Sequence, residues 1–324
     1  MSAALPLASL LLAAWLGAAR AEPQLVVLSQ GGATLTATDP AGEGEPRMIA
    51  LDPAPGGLAV APDGQSVAVS HADLGRIALV DLESGAVTAR IEVGGQPFGL
   101  AFAGPDRLLA ADWDRDRVLE IDTVAGTVLR SVAVGAAPSA VVVDPAAGLA
   151  YSIDRESDQV SIIELAGFTV TGTVAVGRAP FAAALSTDRA RLFVANVQSG
   201  DLSVVDLAGG REEARVAIGG MPYGVAVLAS NSTVVVVDQE GGRIVEVDPG
   251  TLETGAAFKV GDYPEGIAAL PDGRTVAVAN WFSDSVSLVD ISTGAVRAVE
   301  VAAGPRALAV VAARQAEAAA EATP

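Results

Sequence analysis

Cysteine is absent from the 324 residues, histidine occurs once, and aromatic residues make up 4%. Without cysteine there are no disulfides, no CxxCH haem attachment, no thiolate-bound zinc or iron–sulfur cluster, and no cysteine nucleophile. An exported protein of this size folds without disulfides. The motifs that mark common enzyme classes are missing too: there is no G-x-S-x-G elbow, HExxH pair, Walker loop or GxGxxG turn. The run DWDRDR (112–117) resembles the start of a calcium loop, but it lacks the required Gly and Glu, and Arg115 and Arg117 neutralise it. Basic residues are few, 20 Lys plus Arg against 39 Asp plus Glu, for a formal net charge of −19. A phosphate backbone is repelled by such a surface, so nucleic acid is not an expected partner.

Long hydrophobic runs are also lacking except at the start. LPLASLLLAAWLGAA is shorter than the roughly 20 apolar residues of a membrane span. It is followed by Ala19-Arg20-Ala21, a small-x-small cleavage site. Residues 1–21 therefore read as a signal peptide, with the mature chain periplasmic or secreted and not inserted in a membrane. A retained N-terminal anchor is the alternative, since the leader carries no Lys or Arg ahead of its apolar stretch.

What the chain has is a repeat. A small residue followed by proline recurs at Pro55, Pro97, Pro138, Pro180, Pro222, Pro264 and Pro305, spaced by 42, 41, 42, 42, 42 and 41. Between prolines, each unit holds four short apolar or alternating runs separated by Gly, Asp and Pro turns, as in GLAVA, SVAVSH, RIALVDL and TARIEV. Such runs are strands, and four per unit of this length is the spacing of a propeller blade. Six whole units lie at 55–96, 97–137, 138–179, 180–221, 222–263 and 264–304. The remainders, 22–54 with three runs and 305–313 with one, make a seventh blade shared by the two ends. The expected fold is all-β: a seven-bladed propeller of four-stranded blades, closed by the terminal strands, which leaves no free sheet edge. Residues 314–324 form an Ala/Glu tail.

The stretches SVAVSHADLGRIALVDLESGAV, RLFVANVQSGDLSVVDL and TVAVANWFSDSVSLVDISTGAV resemble the YVTN-type β-propeller repeat over essentially the whole mature chain. The resemblance implies an exported propeller, and some relatives serve quinoprotein amine dehydrogenases or haem d1 systems. It also implies that the inter-blade loops and the loops after each second strand share one face. The residues after the repeat prolines, Gly56, Phe98, Ser139, Phe181, Tyr223, Glu265 and Arg306, then ring one mouth of the channel.

Each second strand ends in His71, Asp112, Asp154, Asn196, Asp238 or Asn280. Such residues commonly bond backbone amides and hold turns. Equally, they supply carboxylate and amide oxygens for a channel calcium, and His71 could be an axial haem or metal ligand or a general base, with Asp73, Asp112 and Asp154 as companions. Of the twelve aromatics after Ala21, seven fall in the same loops: Phe98, Trp113, Phe181, Tyr223, Tyr263, Trp281 and Phe282. Either they plug the mouth, or they form a binding surface in which Asp73, Asp114, Glu156 and Glu240 favour a cationic group.

Two function classes remain. The first is a non-catalytic, monomeric binding or scaffold protein that docks a partner protein or a small ligand or cofactor at an aromatic, acidic mouth. The second is a metal-dependent, lactonase-like hydrolase, or a quinoprotein- or haem-d1-associated redox accessory, that uses the channel carboxylates and His71. The absence of enzyme motifs favours the first.

Overall fold

The computed structural model describes residues 23–41, 45–229 and 233–311. The expected signal peptide and the Ala/Glu tail lie outside the described residues. Seven four-stranded antiparallel sheets are arranged as blades. Blade 1 runs from the strand Pro55–Val60 to Ala86–Glu92, blade 2 from Pro97–Gly104 to Thr127–Ala133, and blade 3 from Pro138–Asp144 to Thr169–Ala175. Blades 4, 5 and 6 begin at Pro180–Leu185, Pro222–Val227 and Pro264–Ala269. Blade 7 joins Pro305–Val311 to Gln24–Ser29, Thr34–Thr38 and Arg47–Ala50, with Gln24 opposite Val311 and Leu28 opposite Ala307. Seven blades and the shared closure match the expectation.

The sequence pattern explains the packing. Second and third strands are buried on both faces and read as Val, Ile, Leu and Ala runs, as in Val234–Asp238 and Arg107–Asp112. Outermost strands alternate, as in Ala86–Glu92, because one face meets solvent. The core therefore lies between neighbouring blades. Phe193, Leu202 and Val204 of blade 4, for example, pack on Val234, Val236 and Val245 of blade 5.

The innermost strands carry a local feature that aims the functional side chains. Each begins at a repeat proline paired with the last residue of the second strand: Pro55 with His71, Pro97 with Asp112, Pro138 with Asp154, Pro180 with Asn196, Pro222 with Asp238, and Pro264 with Asn280. The register then slips, so the residues after the proline are bulged out of the ladder. A bulge re-aims a side chain. Here it turns Phe98, Phe181, Tyr223, Glu265 and Arg306 toward the channel.

Candidate functional site

Two cavities meet at one end of the channel. A mouth of about 500 Å³ is lined by Phe98, Trp113, Phe181, Tyr223 and Tyr263, with Gln30, Asp73, Gln96, Arg155, Met221, Gln239, Glu265 and Arg306 among the other residues. Below it lies a channel space of about 240 Å³. Phe98, Phe181, Tyr223, Glu265 and Arg306 border both. They form a layer across the channel that is the floor of the mouth.

The floor is a chain of ring and charge contacts. Phe98 meets Trp113 and Phe181 edge to face, at 5.7 and 5.8 Å between ring centres, and Phe181 lies 4.0 Å from Tyr223. The Arg306 guanidinium lies 5.0 Å from the Phe98 ring and 5.6 Å from that of Trp281. Its Nη1 donates to Gln30 Oε1 at 3.0 Å, and its Nε stands 3.5 Å from Glu265 Oε2. Gln239 Nε2 donates to Glu265 Oε1 at 3.2 Å. Burial pushes the Glu265 carboxyl up to about 7, against the opposing pull of Arg306 and the Gln239 bond. Burial also raises the Tyr223 hydroxyl, reinforced by the nearby Glu265 charge.

Glycine lets the floor assemble. A Cβ on Gly224 would stand 2.4 Å from the Glu265 carbonyl oxygen, and one on Gly266 would stand 2.7 Å from that of Arg306. Innermost strands therefore touch backbone to backbone at blades 5, 6 and 7, and this close approach brings Tyr223, Glu265 and Arg306 together.

Of the seven sequence-selected aromatics, five line the mouth. Trp281 stands behind Arg306, and Phe282 is 69% exposed against Tyr263, at 4.9 Å. Of the ring of seven post-proline residues, Ser139 departs from expectation. It is buried, and its hydroxyl donates to the carbonyls of Ile153 and Phe181 at 3.1 and 2.8 Å, latching blade 3 to blade 4. The rim also differs from a uniformly acidic one. Asp73 lines the cavity but Asp114, Glu156 and Glu240 do not, whereas Arg155 does, paired with Glu156 and 5.7 Å from the Trp113 ring. Arg155, Gln30 and Gln239 also line the mouth, although they are not among the residues the sequence marks as a site. Their one signal was position in the loop that follows a second strand, which for Gln30 is Gln24–Ser29 of the shared blade.

The residues ending the second strands do not converge. Asp112 accepts from the Gln96 N–H and from Arg117 Nε, both at 2.8 Å. Asp154 accepts from the Gly135 N–H and from the hydroxyls of Ser152 and Ser161, and burial raises its carboxyl above the usual range. Asp238 accepts from the amides of Met221 and Gly241 and from Arg243. Asn196 donates to Asp201 and Ser203, while Asn280 accepts from the Gly261 N–H and donates to Ser285 and Ser287. These side chains tie each blade to the loop that enters it or to its own third strand. Among the described residues, no three His, Asp or Glu side chains stand close enough to hold a metal ion. The side-chain oxygens of these residues are instead engaged in bonds within or next to their own blades.

His71 is fully buried and lines neither cavity. Its Nδ1 stands 3.1 Å from the Pro53 carbonyl oxygen, which can only accept, so the proton is on Nδ1 and the buried Nε2 has no partner. Desolvation holds its pKa below the usual value.

The model of the YNCE-like beta-propeller family matches residues 1–314. No curated protein matches the sequence. Several solved structures share the fold. A hydrazine synthase chain of Kuenenia stuttgartiensis is 19% identical with a TM-score of 0.73, covering 81% of this chain and 90% of that one. A functionally unknown protein of Desulfotomaculum acetoxidans is 14% identical with a TM-score of 0.78, covering 90% and 99%. The periplasmic gluconolactonase of Pseudomonas aeruginosa is 20% identical with a TM-score of 0.75, also covering 90% and 99%. Among the described residues, no helix is long and apolar enough to cross a membrane.

Proposed function

The chain belongs to the YNCE-like β-propeller family, and from that premise we propose that it is an exported, monomeric binding protein that takes a small organic molecule into the channel mouth. One observation carries the reading: five aromatic side chains from blades 2, 4 and 5 converge on a cavity of about 500 Å³ whose floor also holds a buried carboxylate and a guanidinium. Concave sites of roughly 300–1,000 Å³, mostly apolar with a few convergent polar groups, are where small ligands bind. Aromatic rings supply contact area at little cost in side-chain entropy.

Tryptophan fluorescence tests this directly, because Trp113 lines the mouth and Trp281 backs its arginine. Titration with a panel of non-fluorescent amino acids, aromatic acids and sugar lactones is expected to give saturable quenching by at least one class. The Trp113→Ala, Trp281→Ala double variant keeps no tryptophan after residue 21, so its affinity is read by calorimetry and should fall by about tenfold or more while the thermal midpoint moves little. Unchanged affinity would return the aromatics to a packing role. Export is supported by the apolar leader and its Ala19-Arg20-Ala21 site. The test is the N-terminal sequence of protein taken from the periplasmic fraction, expected to begin at Glu22.

A hydrolase reading is favoured by one specific observation: a buried carboxyl raised to about 7 beside an arginine, a value suited to proton transfer near neutral pH. Acidification of glucono-δ-lactone solutions above the uncatalysed rate, abolished by Glu265→Gln, would establish that reading over simple binding.

A further inference from the structure

The mouth has two chemically different sides. Phe98, Trp113 and Phe181 come from blades 2 and 4, and Val197 and Met221 extend this mainly apolar wall, with the Arg155 guanidinium 5.7 Å from the Trp113 ring at the rim. Against this wall stand Tyr223, Gln239, Glu265 and Arg306, from blades 5 to 7, with Tyr223 4.0 Å from Phe181 and Arg306 5.0 Å from the Phe98 ring. The polar side holds donors and acceptors that its own contacts do not use up. Arg306 has five N–H donors, and its recorded polar partners are Gln30, Tyr223 and, at 3.5 Å, Glu265. Gln239 Oε1 and Glu265 Oε2 are buried acceptors with no hydrogen-bond partner, on residues only 2% and 6% exposed. The three groups are contiguous, Arg306 to Glu265 at 3.5 Å and Glu265 to Gln239 at 3.2 Å. A cation and two acceptors that receive no hydrogen bond thus lie within the span of one small polar head group.

A ligand bearing only a positive charge would satisfy Glu265 but face Arg306. One bearing only a negative charge would satisfy Arg306 but face Glu265, and like charges at such distances are strongly unfavourable in a partly desolvated site. A neutral apolar ligand would leave the two oxygens unpaired, which is costly in a buried site. A head that carries both charges a few ångströms apart satisfies all three groups.

We propose that the mouth recognises a free amino acid with an apolar or aromatic side chain: its carboxylate on Arg306, its ammonium on Glu265 Oε2 and Gln239 Oε1, and its side chain against Phe98, Trp113 and Phe181. The proposal rests on the reading of the mouth as a small-molecule site and names the ligand class. Insertion of an ammonium beside Glu265 supplies the second positive charge that the buried carboxylate lacks.

The test is a matched series of probes on the full chain by calorimetry: L-phenylalanine, phenethylamine, which lacks the carboxylate, and 3-phenylpropionate, which lacks the ammonium. Phenylalanine is expected to bind about tenfold or more tighter than either analogue, the worth of one charge-assisted hydrogen bond. Glu265→Gln should erase its advantage over 3-phenylpropionate while leaving 3-phenylpropionate itself bound as well or better. A thermal melt confirms that the variant is folded, and Gln239→Leu, which removes the second acceptor and the Gln239 hydrogen bond to Glu265 but keeps both charges, should weaken phenylalanine but not 3-phenylpropionate. Equal affinity for all three probes, or preference for either single-charge analogue, overturns the amino-acid assignment and leaves the cavity reading standing. Binding of none of the three also overturns it. If the fluorescence panel is silent as well, the cavity reading falls with it.

Discussion

Glu265 shows how burial at one residue becomes a property of the protein. Its carboxyl titrates at about 7 in the folded chain against 4.5 for the free group, because desolvation outweighs Arg306 and Gln239. The charged and titratable groups around it are Arg306, Tyr223 and, beyond Tyr223, Tyr263. Between those two values the folded state holds a proton that the unfolded chain has released. Stability therefore falls as pH rises from about 4.5 to about 7 and is level above that. At 1.36 kcal/mol per unit the loss is at most about 3 kcal/mol. Glu265→Gln is expected to raise the melting temperature at pH 8 and change it little at pH 4.5, and equal shifts at both would contradict the burial argument. His71 works in the opposite direction. Its folded pKa is below 6.5 because of desolvation, so the unfolded chain protonates first and stability is lost as pH falls below 6.5. A His71→Asn variant should flatten that acid-side slope in urea midpoints measured at pH 5 and 7. The His71 ring N–H donates to the Pro53 carbonyl, a bond that a carboxylate such as Asp112, Asp154 or Asp238, which accepts from loop amides instead, does not make.

Blades are joined by more than apolar faces. Arg47 of blade 7 reaches the carbonyls of Leu82, Glu83 and Ser84 on the outer turn of blade 1. Arg130 of blade 2 donates to Leu165 and Ala166 of blade 3, both at 2.9 Å, and lies 4.9 Å from the Phe168 ring. Arg191 of blade 4 donates to Pro249 of blade 5, and Arg297 of blade 6 reaches Pro40 of blade 7. Each clasp spans from one blade to the outer turn of the next. The planar guanidinium serves several carbonyls at once, which an ammonium on a flexible stem does less well. Arg130→Met is expected to cost about 1–2 kcal/mol in chemical denaturation, with Arg130→Lys intermediate. A loss below a few tenths would make the clasp ornamental. These contacts were partly legible in the repeat: Arg47, Arg130 and Arg297 share one position in the outermost strand, eight residues before a repeat proline, whereas Arg191 stands in a second strand. The bulge after each proline was only half legible. The P-x-G spelling marks the position, but Ser139 shows that a side chain able to bond a neighbouring carbonyl turns into the blade interface instead.

Closure governs the molecule as a whole. The strand Pro305–Val311 pairs along Gln24–Ser29 and buries Leu308 and Val311. Truncation after Gly304 removes that pairing, exposes an inner edge and strips side chains worth about 1.5–3 kcal/mol each, against a total of roughly 5–15 kcal/mol for an ordinary domain. The cooperative thermal transition should be lost, and a truncated chain that melts like the intact one would refute closure by the terminal strands. The repeat spacing alone determined the strand count, the number of blades and the shared seventh blade, because strands, turns and their alternation are written in windows of a few residues. Only the tertiary structure decided that Glu265 and Arg306 face each other beside Gln239, that Arg155 enters the rim, and that the second-strand carboxylates hold loops instead of meeting. Distance and desolvation are set jointly by blades that no short stretch of chain contains.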